Sequence, residues 1–276
     1  FATFQARASA FKPRNNGGGR HGAIRSLVRE AGGIVVDECH VLPSRTFLKL
    51  SQEAKSAAYR IGLSATPFSR DDMGSLHLIG ALGPTLYKLD VDTLAERGAI
   101  IKPVVRFVPV DQHVQTPNVR NPAKAWQAVY QDGIVNSEPR NHAVAEVVMD
   151  CQKPCLVFVK EIAHLDALSG VLRGAGVEVA TVDGSMSQDD RAARIEMLES
   201  GQLDAIVCTV VMQEGIDIPS LRTVVVASGG KSPIAAVQRA GRAMRAADGK
   251  NAAEIVDFWD TGNRMLEKHS TRRKRR

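Results

Sequence analysis

Short Val- and Ile-rich runs alternate along this chain with segments of helical period, and that alternation limits its folds more than any other feature. Apolar runs occupy residues 34–37, 60–64, 104–108, 156–159, 177–182, 205–208, 223–227 and 254–258. They are short, and most lack the polar–apolar alternation of a half-exposed strand. They suit strands buried on both faces of a parallel sheet. Between them, residues 23–31, 45–58, 91–97, 141–150, 162–173, 188–198 and 235–246 carry helical patterns. Strand followed by helix, repeated in this way, predicts βαβ units and an α/β fold. The rhythm breaks between about residues 101 and 122, where Pro103, Pro109, Pro117 and Pro122 fall in a stretch with no helical period. The expected organisation is a first domain over residues 1–103, an interdomain linker over 104–122, a second domain over 123–263 and a basic tail over 264–276. Only two convincing central strands precede the break, fewer than an open sheet normally has, so the first domain reads as incomplete.

Composition removes several function classes. Hydrophobic content of 44% with 24% charged residues fits a folded globular chain, not a disordered one. No apolar run approaches the roughly 18–20 residues that span a bilayer, and no signal-peptide pattern opens the chain, so no membrane partner is expected. Cys39, Cys151, Cys155 and Cys208 are too few for a disulfide scaffold. Cys151 and Cys155 lack a second pair at zinc-site spacing, so free thiols in a reducing cytoplasm are expected. Charge is uneven. Residues 1–25 carry five basic residues and no acid, and residues 264–276 carry seven with one acid, Glu267. Those ends hold +5 and +6 of a net +6, which leaves the body between them at −5. A basic patch at each end of an acidic body points to a polyanionic partner.

Four segments could carry chemistry. In Gly32-Gly33-Ile34-Val35-Val36-Asp37-Glu38-Cys39-His40, a hydrophobic strand delivers two adjacent carboxylates to its C-terminal end, the edge where α/β sheets bind ligands. One carboxylate there can hold Mg²⁺ through water while its neighbour orients an attacking water. Two solvated residues at a strand end fit that segment equally well. Ser64-Ala65-Thr66-Pro67 follows the next strand and brings two hydroxyls to the same edge, although Ser and Thr before Pro are also common turn residues. The stretch from Thr209 to Pro219 closes another strand in a loop with Gly215 and Asp217. Asp217 could accept a ribose hydroxyl or an arginine, or simply stabilise a turn. In Gln238-Arg239-Ala240-Gly241-Arg242-Ala243-Met244-Arg245, helical spacing puts Arg242 and Arg245 on one face, with Gln238 one turn before Arg242. Paired guanidinium groups suit phosphate oxygens and phosphoryl transfer; a solvated basic face is the plainer reading.

Together, in order as well as content, these segments resemble superfamily 2 helicases and translocases. Asp37-Glu38-Cys39-His40 is similar to the DExH box, Ser64-Ala65-Thr66 to motif III, and residues 155–160 with the following helix to motif IV. Asp183-Gly184-Ser185-Met186-Ser187 resembles a turn that contacts nucleic acid. Residues 209–219 resemble motif V, Gln238-x-x-Gly241-Arg242-x-x-Arg245 motif VI, and Phe1-Ala2-Thr3-Phe4-Gln5 motif Ib. The DECH box and the EGIDIP loop look closer to DNA translocases and to restriction or phage helicases than to DEAD-box RNA helicases.

The resemblance implies two RecA-like parallel-sheet domains, the first incomplete, with ATP and Mg²⁺ in the cleft between them. By the same resemblance Asp37 organises the metal through water, Glu38 orients the water, and Arg242 and Arg245 reach the γ-phosphate. Ser64 and Thr66 couple hydrolysis to closure, and His40 and Gln238 link the nucleotide to the nucleic-acid face. Gly215 and Asp217 lie at the nucleotide, whereas Arg7, Gly184, Ser185 and Thr209 lie on the strand, with DNA expected ahead of RNA. Aromatic content of 5% points to grip through phosphates and not base stacking.

One part of the pattern is missing. No GxxxxGK[ST] loop occurs: Gly230-Lys231-Ser232 resembles its end, but Val225 stands five before Gly230. The resemblance would place that loop upstream of Phe1, so the chain is expected to be an N-terminally truncated piece, inactive by itself. A module that binds nucleic acid without hydrolysis, or the motor part of a restriction-type enzyme, are the alternatives. Gly17-Gly18-Gly19-Arg20-His21-Gly22 formally matches a dinucleotide-binding fingerprint. The residues before it, Phe11-Lys12-Pro13-Arg14-Asn15-Asn16, do not form a buried strand, and that reading leaves the later segments unexplained.

Overall fold

A computed structural model describes residues 20–65, 67–68, 73–209, 218–230 and 252–274. The chain divides into two compact units, one ending at Lys88 and the other beginning at Leu89.

In the first unit, helix α1 (Arg20–Glu30) leads into strand β1 (Gly33–Val36). A single 3₁₀ turn (Cys39–Val41), helix α2 (Arg45–Glu53), strand β2 (Tyr59–Gly62) and helix α3 (Gly74–Leu82) follow. β1 and β2 pair in parallel, from Gly33 opposite Tyr59 to Val36 opposite Gly62. Val36, Cys39, Leu42 and Leu78 form a small core beneath the end of β1. Gly62 lies close against this core. A methyl group on it would lie 2.5 Å from Leu82 Cδ1 and 3.0 Å from Cys39 Sγ.

The second unit opens with helix α4 (Val91–Glu96), capped by Asp90, whose carboxylate accepts from the Thr93 amide at 2.7 Å. Strand β3 (Val104–Asp111) is followed by α5 (Pro122–Tyr130), a π-helical turn (Gln131–Val135) and α6 (Glu138–Asp150). Next come β4 (Cys155–Phe158), α7 (Ile162–Gly174), β5 (Val179–Val182), α8 (Gln188–Glu199) and β6 (Ala205–Cys208). Strands β7 (Thr223–Val226) and β8 (Glu254–Thr261) and helix α9 (Arg264–Lys274) complete the described elements. All six strands run parallel in the order β3-β8-β7-β4-β6-β5. The result is the mixed α/β, parallel-sheet architecture of a RecA-like domain.

The central strands β4, β6 and β7 are buried along their whole length, as continuous apolar runs predict. Alternate residues serve two cores. Val157, Val207, Val225 and Val256 face one side with Val144, Leu165, Leu168 and Leu172 of α6 and α7. Leu156, Phe158, Ile206, Val224 and Val226 face the other with Leu198 of α8 and Leu221. The four cysteines are free and buried. Among the described residues no helix is long and apolar enough to cross a membrane.

Two expectations change. Residues 104–122 were expected as a linker with an apolar run over 104–108; that run is part of an eight-residue strand, Val104–Asp111, paired with β8 from Val104 opposite Glu254 to Asp111 opposite Thr261. Pro109 conceals the extension past residue 108 because it lacks an amide hydrogen. β3 lies at the sheet edge, where one row of amides has no strand to meet and proline is tolerated. Residues 264–276 were expected as a basic tail, either a charged helix or solvated; residues 264–274 form α9, and Arg273 is 6% exposed. Its charge is met by Asp257, which accepts from Arg273 Nε at 2.8 Å and Nη2 at 3.0 Å.

This packing sets a stability contrast within the sheet. Phe158 is fully buried, so Phe158→Ala is expected to cost about 3–5 kcal/mol, the range for emptying an aromatic from a core. Val104 is 64% exposed on the edge strand, and Val104→Ala should cost less than about 1 kcal/mol. Urea unfolding of the two variants tests the difference.

Candidate functional site

In the first unit the chain leaves β1 through a tight turn. The Cys39 amide donates to the Leu63 carbonyl at 2.9 Å and the Leu63 amide to the Val36 carbonyl at 2.9 Å, so the ends of β1 and β2 are stitched together. Between them Glu38 takes a left-handed conformation (φ 48°, ψ 47°), the one described non-glycine residue with positive φ. That conformation costs about 1–2 kcal/mol for an L-residue. The Glu38 amide donates to Asp37 Oδ1 at 2.9 Å, which helps hold the turn and fixes the Asp37 carboxylate. His40 is the hub. Its Nδ1 lies 3.2 Å from Glu38 Oε2 and 3.3 Å from Ser64 Oγ, and its side chain is 15% exposed against 52% for Glu38. Asp37, Glu38, His40 and Ser64 therefore come together at one end of the two strands, as the sequence suggested. Cys39 beneath them is buried, and burial pushes its thiol up from the ordinary range.

These residues fit a hydrated divalent cation better than a bare one. Among the described residues no group of three or more His, Cys, Asp or Glu side chains could hold a metal ion. Two adjacent exposed carboxylates suit Mg²⁺, which keeps most of its water and takes remaining ligands from a phosphate.

In the second unit the C-terminal ends of β5 and β6 carry the next group. The Thr209 amide donates to the Val182 carbonyl at 3.1 Å, which ties the end of β6 to the end of β5. Just beyond β5, Asp183 Oδ1 accepts from both the amide and the hydroxyl of Ser185 at 2.6 Å, folding Gly184 and Ser185 into an exposed turn. Those two bonds hold the Asp183 carboxyl below its ordinary range. Arg191 Nη2 donates to the Met186 carbonyl at 2.8 Å, and Ser187 caps α8, so the turn is anchored from the helix that follows. Gly184, Ser185 and Thr209 thus share one sheet edge. Arg7, Thr66, Gly215, Asp217, Gln238, Arg242 and Arg245 lie outside the described residues.

Residues 140–247, most of this parallel-sheet unit, match the family described as helicase conserved C-terminal domain. The second unit carries a superfamily 2 helicase C-terminal domain. Over 248 residues the chain is 29% identical to "Putative helicase 22" of a Sulfolobus islandicus filamentous virus, covering 86% of the chain and 44% of that protein. It is 30% identical over 224 residues to "Putative DNA 3'-5' helicase Rad25" of Halobacterium salinarum, covering 79% of the chain and 35% of that protein. The chain thus spans between a third and a half of these curated relatives. In fold it is similar to the ATP-dependent type ISP restriction-modification enzyme LlaBIII bound to DNA. That likeness has a TM-score of 0.63 at 18% identity, over 95% of this chain and 20% of that one.

The helicase domain also holds a buried polar network that the sequence reading missed. Arg140 of α6 is fully buried, donates from Nε to Asp260 Oδ1 at 2.7 Å and lies over the Phe258 ring at 5.0 Å. Beside it, buried His164 shares a 3.0 Å hydrogen bond between Nε2 and Asn141 Oδ1. Burial first, and the Arg140 charge second, push its pKa down from 6.5 to about 3. The only available signal was an arginine just before one helical pattern and a histidine inside another, which spacing alone does not pair.

A pH dependence follows for the helicase domain. Between pH 6.5 and about 3 the unfolded chain binds a proton at His164 that the folded chain refuses. Stability should therefore fall as pH drops through that window and be unaffected by this group above it. In His164→Gln the difference in unfolding free energy from the parent chain should shift in the variant's favour as pH falls from 6.5 to 4, measured by urea titration at each pH.

Proposed function

We propose that the chain is part of an ATP-dependent nucleic-acid helicase or translocase that acts on DNA. The observation that carries this reading is the helicase C-terminal domain match over residues 140–247. The first unit supports it, since its DECH turn has His40 between Glu38 and Ser64. DNA is preferred because a 30% identical relative is described as a DNA helicase.

In this reading ATP with Mg²⁺ supplies a phosphoanhydride whose hydrolysis drives movement. Asp37, its carboxylate steadied by the Glu38 amide, would hold the hydrated cation through water. Glu38 would orient or deprotonate the attacking water, and the left-handed turn presents its carboxylate to solvent for that task. His40 and Ser64, with Thr66, would sense the occupied state of Glu38 and pass it on. From the helicase domain, Arg242 and Arg245 would stabilise charge developing on the transferred phosphoryl group. Gln238, Gly215 and Asp217 would contact the nucleotide or relay its state. Gly184, Ser185, Thr209 and Arg7 would touch the strand, largely through its phosphates. Such contacts are indifferent to sequence, and affinity should fall steeply with salt.

The sequence contains no GxxxxGK[ST] loop to cradle phosphates, so this 276-residue chain by itself is proposed to lack turnover. In the full-length gene product, Glu38→Gln should lower nucleic-acid-stimulated ATP hydrolysis by about 10²-fold or more while leaving ATP binding and thermal stability near the parent values. A phosphate-release assay checks this. Turnover undiminished in Glu38→Gln contradicts the proposal.

A further inference from the structure

The helicase domain has a second sheet edge, opposite the one that carries Gly184, Ser185 and Thr209. β4 begins at Cys155, opposite Ala205 of β6 and Thr223 of β7, so the starts of these parallel strands lie along that edge. Helix α6 ends at Asp150, and residues 151–154 connect it to β4. Cys151 and Cys155 bracket this connection, and the function proposed above uses neither.

The two thiols are in contact, with the Cys155 S–H hydrogen-bonded to the Cys151 sulfur. Cys151 Sγ donates to the Val148 carbonyl at 3.4 Å. Lys153 Nζ donates to that same carbonyl and to Cys151 Sγ, the latter at 3.8 Å. This arrangement suits an ionised sulfur. When the Cys151 proton leaves, Lys153 keeps the Val148 carbonyl satisfied, and the sulfur accepts from both Lys153 and Cys155. The Cys155 hydrogen bond first, then the Lys153 charge and a Thr223 hydrogen bond, outweigh burial and the Glu254 charge and bring Cys151 down from 9.0 to about 7. Cys155 moves the other way, because its bond to Cys151 and its burial keep its proton in place. Cys151 is 8% exposed, whereas Cys155 and Cys208 are fully buried, and Cys39, 4% exposed, has its thiol pushed up by burial. A small oxidant therefore meets Cys151 first.

We propose that Cys151 and Cys155 form a modification site, a peroxide-reactive dithiol in which Cys151 is the nucleophile and Cys155 the resolving partner. The oxidant is a hydroperoxide, hydrogen peroxide in the simplest case. The Cys151 thiolate attacks one peroxide oxygen: an S–O bond forms, the O–O bond breaks, and the leaving hydroxide combines with the proton that Cys151 released. The Cys155 sulfur then attacks the Cys151 sulfur. The S–S bond forms, the S–O bond breaks, and the departing hydroxide leaves as water with the Cys155 proton. The two sulfurs lose one electron pair in all, and the peroxide gains it. Lys153 activates the nucleophile by holding its charge. The site needs neither ATP nor nucleic acid, so it stands independently of the function proposed above.

Trypsin places both cysteines of the full-length gene product on one peptide, residues 141–160, because it does not cut between Lys153 and Pro154. After brief treatment with hydrogen peroxide and alkylation, mass spectrometry is expected to find this peptide unalkylated, lighter by two hydrogens and restored by dithiothreitol, before Cys39 or Cys208 reacts. In Cys155→Ala, dimedone should instead trap a sulfenic acid on Cys151. Lys153→Met removes the cation and leaves both thiols, and should slow oxidation at pH 7 about three- to tenfold. A 141–160 peptide that keeps two alkylated thiols, earlier oxidation at Cys39 or Cys208, or an unchanged rate in Lys153→Met would each overturn the inference, as would folded Cys155→Ala without a dimedone adduct. Should Cys155→Ala fail to fold, the parent and Lys153→Met measurements decide the matter.

Discussion

A parallel sheet cannot face water, and most of what this chain does follows from that constraint. Its strands are joined by crossovers that lay helices on the sheet, so both faces are covered and every strand points the same way. In the helicase domain, residues of β4, β6 and β7 alternate between two apolar cores and leave no face for polar work. Polar residues are consequently driven to the strand ends, and parallel direction gathers all C-terminal ends on one edge. Gly184 and Ser185 after β5, Thr209 after β6 and the carbonyls of residues 227–230 after β7 lie along one edge for this reason. The first unit repeats the logic with its two described strands, where Asp37, Glu38 and Ser64 follow the ends of β1 and β2.

Cost is concentrated at the same places. The strands are ordinary: short, apolar and unstrained. The departures from easy local chemistry are the left-handed Glu38, the buried Arg140 and Arg273, and a histidine kept neutral at His164. Each is tied to an exit from a strand or to the helix that packs beneath one. A rigid apolar frame makes such departures tolerable, because closely packed strands leave the turn few alternative arrangements.

Much of this could be read from the chain. Continuous Val and Ile runs located the eight strands, since a strand buried on both faces has no polar positions to hide it. The DECH segment and Ser64 were legible as one group because both follow such runs. Other parts were hidden for physical reasons. β3 was legible only as far as residue 108; it continues through Pro109 to Asp111, which an edge position permits, and edge position is a property of the finished sheet. Helix α3, Gly74–Leu82, has apolar residues nearly all round and no periodic stripe to reveal it. Arg273 looked like a tail charge because its partners, Asp257 inside an apolar run and Asp260 just beyond it, carry no mark in the sequence of pairing with it. Charge counting records how many ions a segment has, while their pairing is fixed only by the fold.

The central claim is that the C-terminal edge of the helicase domain meets a nucleic-acid strand through its phosphates. Amide hydrogen exchange on this chain, with and without a single-stranded DNA oligonucleotide at low salt, tests it most directly. Added DNA is expected to slow exchange at residues 183–187 and around Thr209, with the protection lost at high salt and insensitive to base sequence. Protection confined to other surfaces, with both of these segments exchanging as in the free chain, would contradict it.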